Sequence, residues 1–188
     1  MNSGQTMFVI LAFVLLASLT LSINRTMLMS SNLGLEMEVN LNALSLGQSL
    51  LDEMLNKEFD QVTINGNRIF DANSLSSTLG PEAGESITLP DTYPYQSKSK
   101  FKYNDFDDYN NYRRFAKDSI LGDFTIDVVV EYVNETNPDN VSGSRTYQKR
   151  ATVTVTHPNM AKNVQLANEP VIPVVLKDLW VYRRFFQQ

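Results

Sequence analysis

Hydrophobic and polar positions divide the chain into an apolar run, an amphipathic stretch and a region of alternating residues. Met7 to Ile23 reads MFVILAFVLLASLTLSI, without a charge, a glycine or a proline. As a helix it would be roughly 26 Å long, the short end of what spans a bilayer. Between Met1 and Leu35 the only charged side chain is Arg25. A secretory signal peptide would open on a basic segment and close on a small-x-small cleavage site. Nothing before Arg25 is basic, and no Ala-x-Ala follows the run. A core helix of a soluble domain is rarely apolar all round over such a length. The run therefore predicts a retained membrane helix.

The helix is predicted to continue. No proline lies between Asn24 and Phe59. Leu33, Met37, Leu41, Leu44, Leu51 and Leu55 recur near helical spacing, and Leu46, Leu50 and Met54 widen the stripe. Glu38, Asn42, Gln48, Asp52 and Glu53 fall mostly on other faces. One helix is expected from about residue 6 to about residue 57, on the order of 75 Å if unbroken. Gly34 and Gly47 are its weak points, each costing about 1 kcal/mol against alanine. Residues 5–24 would be its membrane half. Residues 25–59 would lay an apolar stripe on the chain's own domain.

Residues 60–123 are rich in Asn, Asp, Ser, Gly and Pro, with turn signals at Asn65-Gly66, Gly80-Pro81 and Asp91–Pro94. Short strands are expected at Gln61–Ile64, Ser86–Leu89 and Lys98–Tyr103. Clearer strands follow. In Phe124–Val133 the residues Phe124, Ile126, Val128, Val130 and Tyr132 share one face. In Thr146–Thr156 the shared face is Tyr147, Ala151, Val153 and Val155, with threonines opposite. Val174–Phe186 is the last candidate. Sequential strands joined by turns are usually antiparallel neighbours. One face of such a sheet meets water and the other needs a cover. The fold class is therefore α+β: a long N-terminal helix, hydrophobic and then amphipathic, packed on an antiparallel β-sheet in a head domain of residues 60–188.

Charge narrows the function classes. The net charge of −5 argues against nucleic acid as a partner, because that binding runs on basic patches. The absence of cysteine removes disulfides, thiolate metal sites and a cysteine nucleophile.

This architecture resembles the type IV pilins and the type II secretion pseudopilins. LSLGQSLLDEMLNKEFD (Leu44–Asp60) is similar to the end of the spine helix in minor pseudopilins. YNDFDDYNNY (Tyr103–Tyr112) is similar to their Asp-Asp-aromatic loop, and YQKRATVTVTHP (Tyr147–Pro158) to their paired C-terminal strands. The resemblance implies a structural subunit of a pilus-like filament or secretion pseudopilus, not an enzyme. Its partners would be copies of itself or homologous pilin-like subunits, the bacterial inner membrane and a prepilin peptidase-like processing enzyme. The head would lie on the periplasmic or extracellular side. Residues 1–4 would be a short leader cut between Gly4 and Gln5. Family leaders are usually basic, and their fifth mature residue is usually Glu. Here the leader is Met-Asn-Ser-Gly and that position is Val9, so the chain should enter a filament without the usual carboxylate pairing. Phe8, Ile10, Leu11, Val14, Leu15, Leu19 and Ile23 would form the assembly surface, with Ala12, Ala17, Ser18 and Ser22 as small contact residues. The alternative is a membrane-tethered extracytoplasmic binding domain that does not polymerise.

Little in the sequence points to catalysis. His157 is the only histidine, with no triad or metal partner in view, and is expected at the surface or a strand end. No Gly-x-Ser-x-Gly, His-Glu-x-x-His or glycine-rich phosphate loop is present. Asp105, Asp107 and Asp108, with Asn104, Asn110 and Asn111, offer oxygens suited to calcium but lack EF-hand spacing. The plainer reading of these residues is a solvated turn closed by Asx hydrogen bonds. Tyr93, Tyr95, Phe101, Tyr103, Phe106, Tyr109 and Tyr112 fit a core better than a binding surface. Trp180, Tyr182, Phe185 and Phe186, with Arg183 and Arg184, are either a subunit contact or the inner face of an edge strand. Asn24, Asn134 and Asn140 match the glycosylation sequon.

Overall fold

Helix α1 runs Ser3–Leu55 without interruption in a computed structural model that describes residues 3–93, 97–162 and 170–183. By internal contacts the chain forms two units, Met1–Glu38 and Val39–Gln188. Among the described residues the first unit is helix alone, with its apolar side chains exposed.

The second unit is built on five strands. These are β1 (Asp91–Tyr93), β2 (Tyr112–Asp118), β3 (Gly122–Tyr132), β4 (Gln148–Thr156) and β5 (Val174–Val181), lying side by side in chain order. The neighbours from β2 to β5 are antiparallel, as expected, whereas β1 lies parallel to β2. Alternation sets the faces. Tyr112 and Ala116 of β2, Phe124, Ile126, Val128 and Val130 of β3, and Ala151, Val153 and Val155 of β4 are buried together. The register places Ile126 between Arg114 and Val155, and Val128 between Tyr112 and Val153.

The last turns of α1 cover this face with Val39, Ala43, Gly47, Leu50, Leu51 and Met54. Each large side chain so buried contributes roughly 1.5–3 kcal/mol. The amphipathic stretch is real, and Leu46, Leu50, Leu51, Met54 and Leu55 of the expected stripe face the core, but its first part differs. Leu33, Met37, Leu41 and Leu44 are exposed. The inward line starts instead on Val39 and continues through two small residues, Ala43 and Gly47, which carry little apolar signal in the sequence.

The segment between helix and sheet departs most from expectation. Gln61–Gly66 is a 3-10 turn and not a strand, because Asp60 caps it and Thr63 bonds back to Asp60. Residues 86–89 form no strand. Ser99–Lys102 is one helical turn, α2. Strand β2 was not expected, since YRRFAKD puts Arg114 inward and leaves Phe115 outward. A second buried cluster joins Phe59, Ile69 and Leu75 to Tyr132 and Tyr147. The rings of Trp180 and Tyr182 pack on Phe59 with centroids 6.1 and 5.5 Å away.

Candidate functional site

Lys149 belongs to the inward phase of β4, two residues before Ala151, and is fully buried. An ammonium taken out of water must be paired and hydrogen-bonded. Its Nζ donates to the Phe59 carbonyl at 2.8 Å, to Asp60 Oδ2 at 2.8 Å and to Asp107 Oδ1. It also lies 4.7 Å from the Phe59 ring centre and 5.2 Å from that of Tyr132. Asp60 is the better satisfied carboxylate. Burial alone would raise its pKa, but Lys149 and the amides of Val62 and Ser76 hold it below the ordinary value. Asp107 shares the same cation, and burial outweighs that attraction, so its pKa is raised.

Asp107 opens onto a larger group. Asp105, Asp107 and Asp108, set by a 3-10 turn over Asp107–Tyr109, are all fully buried, so the solvated-turn reading does not hold. The Asx hydrogen bonds themselves are present: Asp105 Oδ1 accepts from the amides of Asp107 and Asp108 at 3.0 and 3.2 Å. Asp108 Oδ2 accepts from the amides of Asn104 and Asp105 at 2.8 and 3.2 Å. The loop carrying Glu82 and Glu85 closes the group. Glu82, Glu85 and Asp108 bring three carboxylate oxygens within 4.8 Å of one another, and so do Glu82, Asp105 and Asp107. Neither glutamate stood out in the sequence, and both lie in an irregular loop without a periodic signal.

Crowding and burial disfavour the ionised forms here. Burial, with Asp107 and Asp108 adding repulsion, pushes Asp105 up to about 9. Burial, a hydrogen bond to Glu85 and the nearby aspartates push Glu82 up to about 7. Asp108 rises to about 6, again chiefly through burial.

Other sequence candidates fall elsewhere. Gly4 and Gln5 lie exposed in the first turn of α1. Phe8, Ile10, Leu11, Val14, Leu15, Leu19 and Ile23 are exposed along it. This part of α1 is long and apolar enough to span a membrane, by length and composition. Two of its hydroxyls bond within the helix, Ser18 donating to the Leu15 carbonyl and Thr20 to that of Leu16, each at 2.8 Å. Lipid, which offers no partners, requires such internal bonding.

His157 ends β4 as expected but is buried, not at the surface. It accepts from the Asn159 amide at 3.1 Å, and its Nε2 lies 3.0 Å from the Leu121 carbonyl. Tyr103, Phe106, Tyr109 and Tyr112 are core residues, whereas Phe101 is exposed. Tyr95 and the side chain of Tyr93 lie outside the described residues, as do Arg184, Phe185 and Phe186. Asn24, Asn134 and Asn140 are exposed.

A second buried polar group ties α1 to the sheet. Arg114 of β2 donates to Glu53 Oε1 and Oε2 at 2.8 and 2.9 Å, and to the Tyr112 hydroxyl at 2.8 Å. Glu53, expected on the polar face, thus turns inward.

No family model, curated protein or solved structure matches this chain.

Proposed function

We propose that this chain is a structural subunit of a type IV pilus-like filament or secretion pseudopilus, anchored in a bacterial inner membrane by the apolar part of α1. The sheet domain lies on the periplasmic or extracellular side. One observation supports this reading above the rest: every large apolar side chain from Met7 to Ile23 is exposed, on the same helix whose later turns carry a sheet. Such a surface needs lipid or other apolar helices around it.

The proposed mechanism is mechanical. Helices leave the bilayer and bundle into a filament core, and the acidic sheet domains form the outside. Lipid tails supply no hydrophobic drive between helices, so contacts rest on close packing at small residues such as Ala12, Ala17, Ser18 and Ser22. Exposed Leu33, Met37, Leu41 and Leu44 supply apolar contacts further along the helix. Val9 brings no carboxylate into the bundle, so packing alone sets the register.

The test is intact-mass and N-terminal analysis of the protein from native membranes and from sheared filaments, with Phe8→Asp and Leu15→Asp alongside. A chain starting at Gln5, recovered from filaments that both variants abolish, is expected. A detergent-soluble monomer retaining Met1 would overturn assembly and leave a membrane-tethered binding domain.

A further inference from the structure

We infer that Glu82, Glu85, Asp105, Asp107 and Asp108 form a calcium-binding site that clamps the 79–85 loop onto the turn at 104–109. The inference is independent of whether the chain forms filaments.

The second of the two carboxylate trios contains two fully buried aspartates, Asp105 and Asp107. Every member of both trios carries an oxygen that accepts no hydrogen bond from the described residues: Glu82 Oε2, Glu85 Oε2, Asp105 Oδ2, Asp107 Oδ2 and Asp108 Oδ1. Asn104 Oδ1 is in the same position, while its amide donates to Glu85. The opposite oxygens of Asp105 and Asp108 are bonded to backbone amides, which holds both carboxylates in orientation. Buried oxygens left without donors are costly.

Charge points the same way. Among the described residues, Lys149 is the one cation ion-paired with this group, through Asp107, and it also serves Asp60. Among the described residues, five carboxylates therefore lie near one ammonium that is shared with Asp60. An all-oxygen set with no histidine or cysteine suits a hard cation. Calcium accepts six to eight oxygens in irregular geometry, whereas magnesium demands an octahedron and keeps several waters. Two all-oxygen carboxylate trios that share Glu82 fit calcium.

The site would act as a clasp. Without it the loop is held by a few direct bonds, among them Asn110 Nδ2 to the Leu79 carbonyl at 3.2 Å and Lys102 Nζ to the Gly84 carbonyl at 3.4 Å. The turn in turn pairs with the chain leaving α1, the Phe106 amide donating to the Glu58 carbonyl at 2.9 Å. Calcium would thus stiffen the junction between spine helix and sheet.

The experiment uses the full chain in detergent, stripped with chelator and titrated with calcium chloride by calorimetry, while thermal unfolding is followed. Calcium at about 100-fold its Kd is expected to raise Tm by roughly 5–10 °C. Glu82→Gln, in a partly exposed loop, is expected to weaken calcium by at least about tenfold, since affinity follows the number of charged ligands. It should also raise the Tm of the chelated protein by relieving repulsion, a sign opposite to that of a merely structural defect. Asp105→Asn serves as a second variant, with far-UV circular dichroism confirming its fold. No heat and no Tm change at millimolar calcium would overturn the site and mean that protons alone neutralise the group. Unchanged calcium affinity in both variants would overturn it too, as would an equal Tm gain from magnesium.

Discussion

Gly47 of α1 faces Leu176 of β5 so closely that a Cβ built on the glycine would lie 2.5 Å from Leu176 Cδ1, and 3.2 Å from Val155 Cγ2. This is where the helix comes down on the sheet, and the missing side chain makes the approach possible. Gly47→Val is expected to destabilise by about 1–3 kcal/mol, the usual range for overpacking. Gly34→Ala, with nothing within 4 Å of the added carbon, is expected not to lower unfolding free energy. Urea unfolding of the pair checks both.

Two leucines on the same helix should behave oppositely. Leu50 is fully buried and Leu41 is 65% exposed. Leu50→Ala is expected to cost about 2–5 kcal/mol through lost burial and a cavity. Leu41→Ala should stay within about 0.5 kcal/mol in the detergent-solubilised monomer. Under the proposed assembly it should still reduce filament yield, read by sedimentation of sheared fractions.

The Arg114–Glu53 pair predicts a non-additive result. Removing one partner of a buried ion pair leaves the other charge uncompensated, so Arg114→Met is expected to cost about 3 kcal/mol. Adding Glu53→Met should recover part of that loss. A double-mutant cycle in urea measures the coupling, and simple additivity would show that the two residues do not act together.

Acid stability should depend on Asp91. Burial alone would raise its pKa, but the amides of Ser99, Lys98 and Thr92 and the Tyr112 hydroxyl donate to it and hold it below 3.8. A depressed carboxylate stabilises fully above its unfolded pKa, and that contribution is lost as pH falls through the folded value. Tm of the wild type should therefore drop below about pH 4, where Asp60 titrates in the same direction. Asp91→Asn should start from a lower Tm at neutral pH and show a shallower acid limb.

Local periodicity made the long helix and strands β3, β4 and β5 legible. Strand β2 hid because its inward phase carries Arg114, and a charge there reads as surface. The signal that could have exposed the candidate metal centre was Lys149. It shares the phase of Ala151, Val153 and Val155, and a lysine on a core face demands carboxylates nearby. The aspartates at 105, 107 and 108 were visible as oxygen donors, but their burial was not. Glu82 and Glu85 joined them only through a loop with no pattern of its own.

The sequence by itself determined an apolar span beside a helical stem, and a sheet with alternating faces. Both follow from spacings of a few residues, which the backbone geometry of helix and strand converts directly into faces. Only the tertiary structure decided which side of the stem turns inward, and which charges are buried together. Those choices depend on pairs far apart in the chain, Gly47 with Leu176, Glu53 with Arg114, and Lys149 with Asp60 and Asp107. A buried charge is stable only where the whole fold brings its partner within hydrogen-bonding distance, and no local window contains that information.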